Sequence, residues 1–271
     1  MKILNGKELA GFIKERQAGM VRSGVSDGGR APKLLIIRDS DNPVILKYVG
    51  LKIQYGEDIG VIVEDYKASS FDDIKNKILA ANDNDGIDGI ILQLPILDKE
   101  KTDEVTSLIA AEKDVDGLSG KGDYDSATAT AILWLLAGYD IDLKERRVAL
   151  VGRGKLVGAP LFKMLSDSGI NVEMFHSGSD LSQVREFDVI ITATGKPGLI
   201  TSEMVAPGAV VVDAGTASED GVLKGDVADA VRERKDLLAI TPVVGGVGPL
   251  TITCLFDHVL QSYEKHKQNK K

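Results

Sequence analysis

The chain has 271 residues with 41 acidic and 33 basic side chains, and its net charge of -8 argues against a nucleic-acid partner while leaving room for a local basic pocket for one small anion. Hydrophobic residues at 43% and charged residues at 27% are ordinary for a soluble globular protein, and no apolar run approaches the roughly 18 residues of a membrane span. The single cysteine, Cys254, cannot close an intrachain disulfide, and histidines at 176, 258 and 266 lack metal-ligand spacing, so no metal is expected and redox chemistry requires a bound organic cofactor.

At about 150 residues per domain, this length predicts two domains. The opening "MKILNGKELAG" has no signal-peptide apolar core, which predicts a cytoplasmic protein. Asn5 followed by Glu8 reads as a helix start with reciprocal capping, and Leu9, Phe12 and Ile13 continue at helical spacing. A strand is expected at 33–38, then a helix after "DSDNP" that carries Tyr48 and Lys52 four residues apart on one face. Taken alone, that pair reads as a solvated helix face. A strand at 60–66, a helix after Ser70 and a strand at 89–94 complete a repeating αβ pattern, which favours a mostly parallel sheet.

Residues 111–127, "AEKDVDGLSGKGDYDSA", are rich in Gly, Asp and Ser and read as a crossing between domains. A helix at 128–138 follows. The short β-rich runs "RRVALVG", "INVEMF", "DVIITATG", "AVVVDAG" and "LLAITPV" then predict a doubly wound sheet. An amphipathic helix over 249–267 is long enough to return to the first domain. The predicted architecture is therefore α/β: an αβ substrate domain over 1–120 with 252–271 packed back on it, and a Rossmann-like cofactor domain over 121–251.

Gly152, Gly154 and Gly158 form G-x-G-x-x-x-G between the strand "RVALV" and an apolar-periodic helix. Such a loop either is a plain βα turn or lets the backbone approach a pyrophosphate held by the helix's first N–H groups, and the flanking strand and helix favour the second. An NAD site usually places an acidic residue about 20 positions on, at the tip of the next strand. Here that tip carries His176 and Ser177, and Glu173 lies inside the strand. With Arg153 in the loop and no carboxylate to repel a 2′-phosphate, NADP is favoured, with NAD left open.

Further motifs accompany these. "LNGKELA", "DNP" followed by Y-x-x-x-K, "LQLP", "EKDVDG", "GR-x-x-x-VG-x-P", "HS", "GKPG", "PGAVVVD", "GDV" and "TPVxGGVGP" stand in this order over nearly the whole chain. Together they resemble the bifunctional methylenetetrahydrofolate dehydrogenase/methenyltetrahydrofolate cyclohydrolase family, the FolD family of bacteria. The resemblance implies an NADP-dependent enzyme of one-carbon metabolism that feeds purine biosynthesis, acts on a small folate and assembles as a homodimer. It implies Lys52 as the central catalytic group, Tyr48 stacked on the folate's aminobenzoyl ring, Gln93 positioning the lysine and Asp116 binding the pterin. Leu92, Leu94, Gly245, Gly246, Val247, Gly248 and Pro249 complete the implied substrate site. Gly152, Arg153, Gly154, Val157, Ser177 and Thr216 form the implied cofactor site.

The implied chemistry suits these residue types. Hydride loss from the methylene bridge leaves a cation shared by two nitrogens and calls chiefly for orientation, whereas water attack on the methenyl carbon benefits from a lysine whose pKa is lowered by desolvation.

The chain departs from the family pattern at several places. "SATATA" (126–131) replaces a proline-containing segment, Ile45 a small hydroxyl residue, Gly154 a common serine, Gly178 a larger residue, and Val244 a proline. None touches Tyr48, Lys52, Gln93 or Asp116. The alternatives are a monofunctional cyclohydrolase, a non-catalytic folate or nucleotide binder, and an NAD(P)-dependent dehydrogenase of another small substrate.

Overall fold

The computed structural model describes residues 1–215, 217–219 and 222–269. In chain order the elements are β1 (Lys2–Ile3), α1 (Gly6–Ser26), β2 (Lys33–Arg38), α2 (Pro43–Ile59), β3 (Ile62–Lys67), α3 (Phe71–Asn82), β4 (Gly89–Leu92), α4 (Thr102–Thr106), α5 (Ala127–Gly138), β5 (Val148–Val151), α6 (Gly158–Asp167), β6 (Val172–Phe175), β7 (Val189–Thr192), β8 (Val210–Asp213), β9 (Ala217–Glu219), β10 (Val222–Lys224), α7 (Asp229–Arg232), β11 (Ala239–Ile240) and α8 (Val247–Asn269). They divide into two compact units: Gly11–Ala127 with Ile252–Lys271, built on a three-stranded sheet, and Met1–Ala10 with Thr128–Thr251, built on a six-stranded one.

In the three-stranded unit the order is β3-β2-β4 and every pairing is parallel. The central strand is a nearly unbroken apolar run because helices cover a parallel sheet on both faces, and Leu34, Leu35, Ile36 and Ile37 are all fully buried. Leu35, Ile37, Ile74, Ile78, Ile90 and Leu92 share one core. The two helices that follow β2 and β3 start on side-chain caps: Asn42 accepts from the Val44 N–H, with Pro43 in the first turn, and Ser70 accepts from the Asp73 N–H. Gly60, at φ +84°, ends α2 in the left-handed conformation that glycine adopts without strain. Residues of α8 are stitched into this unit by a buried knot in which Gln17 donates to the Thr253 carbonyl and Tyr55 donates to Gln17.

The six-stranded unit has the order β1-β11-β8-β7-β5-β6, parallel throughout. The β5, β7 and β8 strands are buried along their whole length, and Phe175 meets Phe187 edge-on in the core beneath them.

Three features differ from the sequence reading. Met1–Ala10 belongs to the six-stranded unit, not to a domain over 1–120, because Lys2 and Ile3 pair with Ala239 and Ile240 and extend the sheet by an edge strand too short to leave a periodic signature. Only half of the expected reciprocal cap forms: Asn5 Oδ1 accepts from the Glu8 N–H, while the Asn5 N–H donates to the Tyr139 hydroxyl. Residues 111–127 are a packed segment of the three-stranded unit with Lys113, Asp114 and Val115 buried, so their polarity serves internal hydrogen bonds instead of marking a solvated linker.

Candidate active site

In the three-stranded unit, the C-terminal end of β4, the α2 helix and the 111–124 segment carry the predicted catalytic residues. Tyr48 and Lys52 lie one turn apart on α2, both half-buried. The next residue on that side of the helix, Tyr55, is already core, so the pair sits where the buried stripe meets the surface. Gln93 is the first residue after β4; its N–H still donates to the Ile37 carbonyl at 2.8 Å, which fixes the backbone in register. Its side-chain amide donates to the Leu94 carbonyl at 3.1 Å, and this turns Oε1 toward Lys52, whose Nζ donates to it at 2.6 Å.

The loop bearing Asp116 is held by its neighbours. Lys113 Nζ donates to the Ala81, Asn82 and Asn84 carbonyls at 2.7–2.9 Å, neutralising the open C-terminal end of α3. Asp114, fully buried, accepts from the Leu118 N–H and from both the N–H and hydroxyl of Ser119. Gly117 sits at φ +67°, where a Cβ would lie 2.7 Å from the Asp125 backbone, so the turn admits no side chain. These contacts leave the Asp116 carboxylate and the Lys52 ammonium electrostatically coupled. Burial lowers the Lys52 pKa and the Asp116 charge works against that; burial raises the Asp116 pKa and the Lys52 charge works against that.

Leu92 departs from the expected role, since its side chain is in the core; only its backbone is available to a ligand. Leu94 is half-buried beside Gln93.

In the six-stranded unit the glycine loop joins β5 to α6. Gly152, at φ +116°, has room for no side chain: a Cβ would fall 2.6 Å from the Ala193 carbonyl oxygen. A Cβ on Gly158 would fall 2.0 Å from the Gly152 carbonyl oxygen. Both glycines are therefore demanded by close backbone approach, whereas Gly154 faces open space. Val157 is the half-buried residue at the start of α6. Arg153 is exposed and makes no ion pair among the described residues, and Ser177 is exposed in the turn that follows β6, the strand next to β5. Thr216 lies outside the described residues.

The 244–248 stretch differs from the loop expected there. Gly245, at φ +88°, and Gly246 form the turn, but α8 already begins at Val247, so Gly248 and Pro249 belong to its first turn. Val247 is buried and unavailable as a side-chain contact. Gly246 is pinned against Gly6, whose Cβ would lie 1.9 Å from the Gly246 carbonyl oxygen.

Sequence reasoning also missed a buried carboxylate pair behind the β7 and β8 loops. Asp226, fully buried, accepts from the Thr192 hydroxyl and from the N–H groups of Thr194 and Lys196 at 2.6–2.8 Å. Asp213 accepts from the Gly215, Asp226 and Val227 N–H groups and pairs with Arg232. Burial raises the Asp213 pKa against these donors. The signal was Asp213 at the end of the run "PGAVVVD" and Asp226 next to Gly225 in "GDV". Among the described residues no group of three His, Cys, Asp or Glu is placed to hold a metal ion, and no helix is long and apolar enough to cross a membrane.

A parallel sheet whose first glycine-rich βα turn excludes side chains has the form of a dinucleotide-binding unit, and the coupled lysine, glutamine and aspartate of the other unit form a half-buried polar cluster, a candidate active site. Residues 4–116 match the catalytic domain of tetrahydrofolate dehydrogenase/cyclohydrolase, and residues 126–267 match the NAD(P)-binding domain of the same family. The chain is 38% identical to the bifunctional protein FolD of Staphylococcus carnosus over 275 residues, covering 96% of this chain and 95% of that one. The crystal structure of the Campylobacter jejuni bifunctional enzyme FolD superposes with a TM-score of 0.91 at 33% identity, covering 98% of this chain and 99% of that one. A Trypanosoma brucei methylenetetrahydrofolate dehydrogenase-cyclohydrolase, solved with NADP cofactor and inhibitor, gives 0.89 at 28% identity over 97% of each chain. This chain belongs to the tetrahydrofolate dehydrogenase/cyclohydrolase family.

Proposed function

We propose that the protein oxidises 5,10-methylenetetrahydrofolate to 5,10-methenyltetrahydrofolate with NADP and hydrolyses the product to 10-formyltetrahydrofolate. The observation that carries this reading is the Lys52 Nζ to Gln93 Oε1 contact of 2.6 Å beside the coupled Asp116. Family membership supports it.

The side-chain-free turn at Gly152 and Gly158 fits a pyrophosphate, with Gly154 leaving open space and Val157 leading into the helix N-terminus. Arg153 and Ser177, both exposed near the ends of neighbouring strands, suit a 2′-phosphate. When bound, NADP supplies the hydride acceptor.

In the hydrolytic step water adds to the methenyl carbon, the adduct loses a proton, and the bond from that carbon to one folate nitrogen breaks as the nitrogen is protonated. Burial keeps more of Lys52 unprotonated near neutrality than an exposed lysine, so that it can accept this proton, and once protonated it returns the proton to the departing nitrogen. Gln93 holds the amine in place with an acceptor that carries no charge. Asp116 accepts N–H groups of the pterin, Tyr48 stacks on the aminobenzoyl ring, and Leu92 and Leu94 contribute backbone and flank. The chain acts as a cytoplasmic homodimer supplying purine biosynthesis, a reading supported by the family resemblance and tested by size-exclusion chromatography with light scattering.

Purified protein given methylenetetrahydrofolate should generate the absorbance of reduced NADP. No turnover with either NADP or NAD would refute the dehydrogenase half.

A further inference from the structure

The C-terminal helix, which no catalytic role has absorbed, grips the Asp116 loop from behind. His258 is buried and its Nδ1 lies 2.8 Å from the Val115 carbonyl oxygen. A carbonyl only accepts, so the proton is on Nδ1. One turn further along α8 the Ser262 hydroxyl donates to the Glu112 carbonyl at 2.9 Å, and Val259 with Val115 packs over Gly89 so closely that a Cβ there would meet Val115 at 2.9 Å. The imidazole is itself fixed from the other side by stacking on Tyr124, with ring centroids 5.0 Å apart and planes at 23°.

The Val115 carbonyl belongs to the peptide unit whose nitrogen is that of Asp116. Its orientation therefore sets where the Asp116 Cα and carboxylate stand. The rest of the loop is fastened on either side, by Lys113 to the end of α3 and by Asp114 to residues 118 and 119. The 115–116 peptide has His258 as its tether.

We infer that His258 is a positioning residue for folate recognition, holding the 115–116 peptide so that the Asp116 carboxylate meets the pterin. This rests on the assignment of Asp116 to the pterin above. Two substitutions separate the tether from the packing. His258→Asn keeps an N–H donor near the Nδ1 position and loses the ring; His258→Phe keeps a ring to stack on Tyr124 and loses the donor.

The test is steady-state hydrolysis of 5,10-methenyltetrahydrofolate by the full chain, with the melting temperature of each variant measured alongside. His258→Phe should raise KM about five- to tenfold, the worth of one ordinary hydrogen bond, with kcat within about twofold of the parent. His258→Asn should stay within about threefold in KM although it too loses stability. An unchanged KM in His258→Phe, or a KM that follows melting temperature across both variants, overturns the proposal. If His258→Phe does not fold, His258→Asn decides: KM near the parent value supports the tether, and a tenfold rise overturns it. An Asp116→Asn variant with unchanged KM would refute the pterin assignment itself, so the two failures are distinguishable.

Discussion

Substituting Gly158 by Ala is the most direct test of the glycine loop. The added Cβ would stand 2.0 Å from the Gly152 carbonyl oxygen, 2.7 Å from its carbonyl carbon and 3.1 Å from the Arg153 Cα, all of them backbone atoms that cannot swing aside. Reaching normal contact requires the loop to open by about 1 Å, an overpacking that costs roughly 1–3 kcal/mol. At about 2–4 °C per kcal/mol for a protein of this size, the melting temperature should fall by about 2–12 °C. The same displacement moves the first N–H groups of α6 away from a pyrophosphate. Losing one charge-assisted hydrogen bond weakens NADP about tenfold or more. Gly154→Ala is the matched control for the melts, because nothing lies within 4 Å of its Cβ position. Calorimetric titration of both variants with NADP, alongside thermal melts, reads the two effects. A Gly158→Ala protein with parental NADP affinity and melting temperature would refute the close-approach reasoning.

Lys52→Met should reduce methenyltetrahydrofolate hydrolysis by about 10² or more while folate binding, followed by fluorescence, changes little; retained hydrolysis would remove the lysine from its role. The Asp116 charge raises the Lys52 pKa, so Asp116→Asn lowers it further and keeps more of the lysine neutral at a given pH. The acidic limb of the hydrolysis profile at saturating substrate should accordingly move to lower pH, and a shift upward would contradict the coupling. Asp226→Ala leaves the buried Thr192 hydroxyl and the part-buried Thr194 and Lys196 N–H groups without their acceptor, for a loss of about 2–3 kcal/mol in denaturant unfolding.

The local pattern of the chain was enough to find elements whose signal lies within a few residues. The strand at 33–38 is observed over Lys33–Arg38 because a strand buried on both faces is an unbroken apolar run, and the "DNP" start of α2 is observed because proline and an Asn cap act on adjacent residues. The Tyr48 and Lys52 pair was visible as i,i+4 spacing, and Gly152 and Gly158 as a loop between strand and helix. Each of these follows from backbone geometry that the nearest neighbours impose.

What tertiary structure alone decided involves partners distant in the chain. The β1 strand exists because β11, over two hundred residues later, offers it an edge. Val247 faces the core although its motif suggests a ligand loop. The hydrogen-bond acceptor for Lys52 is Gln93, 41 residues away, and the tether of the Asp116 loop is His258, 143 residues from the carbonyl it holds. Hydrophobic periodicity specifies which side of an element is buried and says nothing about which other element buries it. The candidate residues of this site were therefore legible only as an ordered set of motifs, while the contacts that join them came from packing.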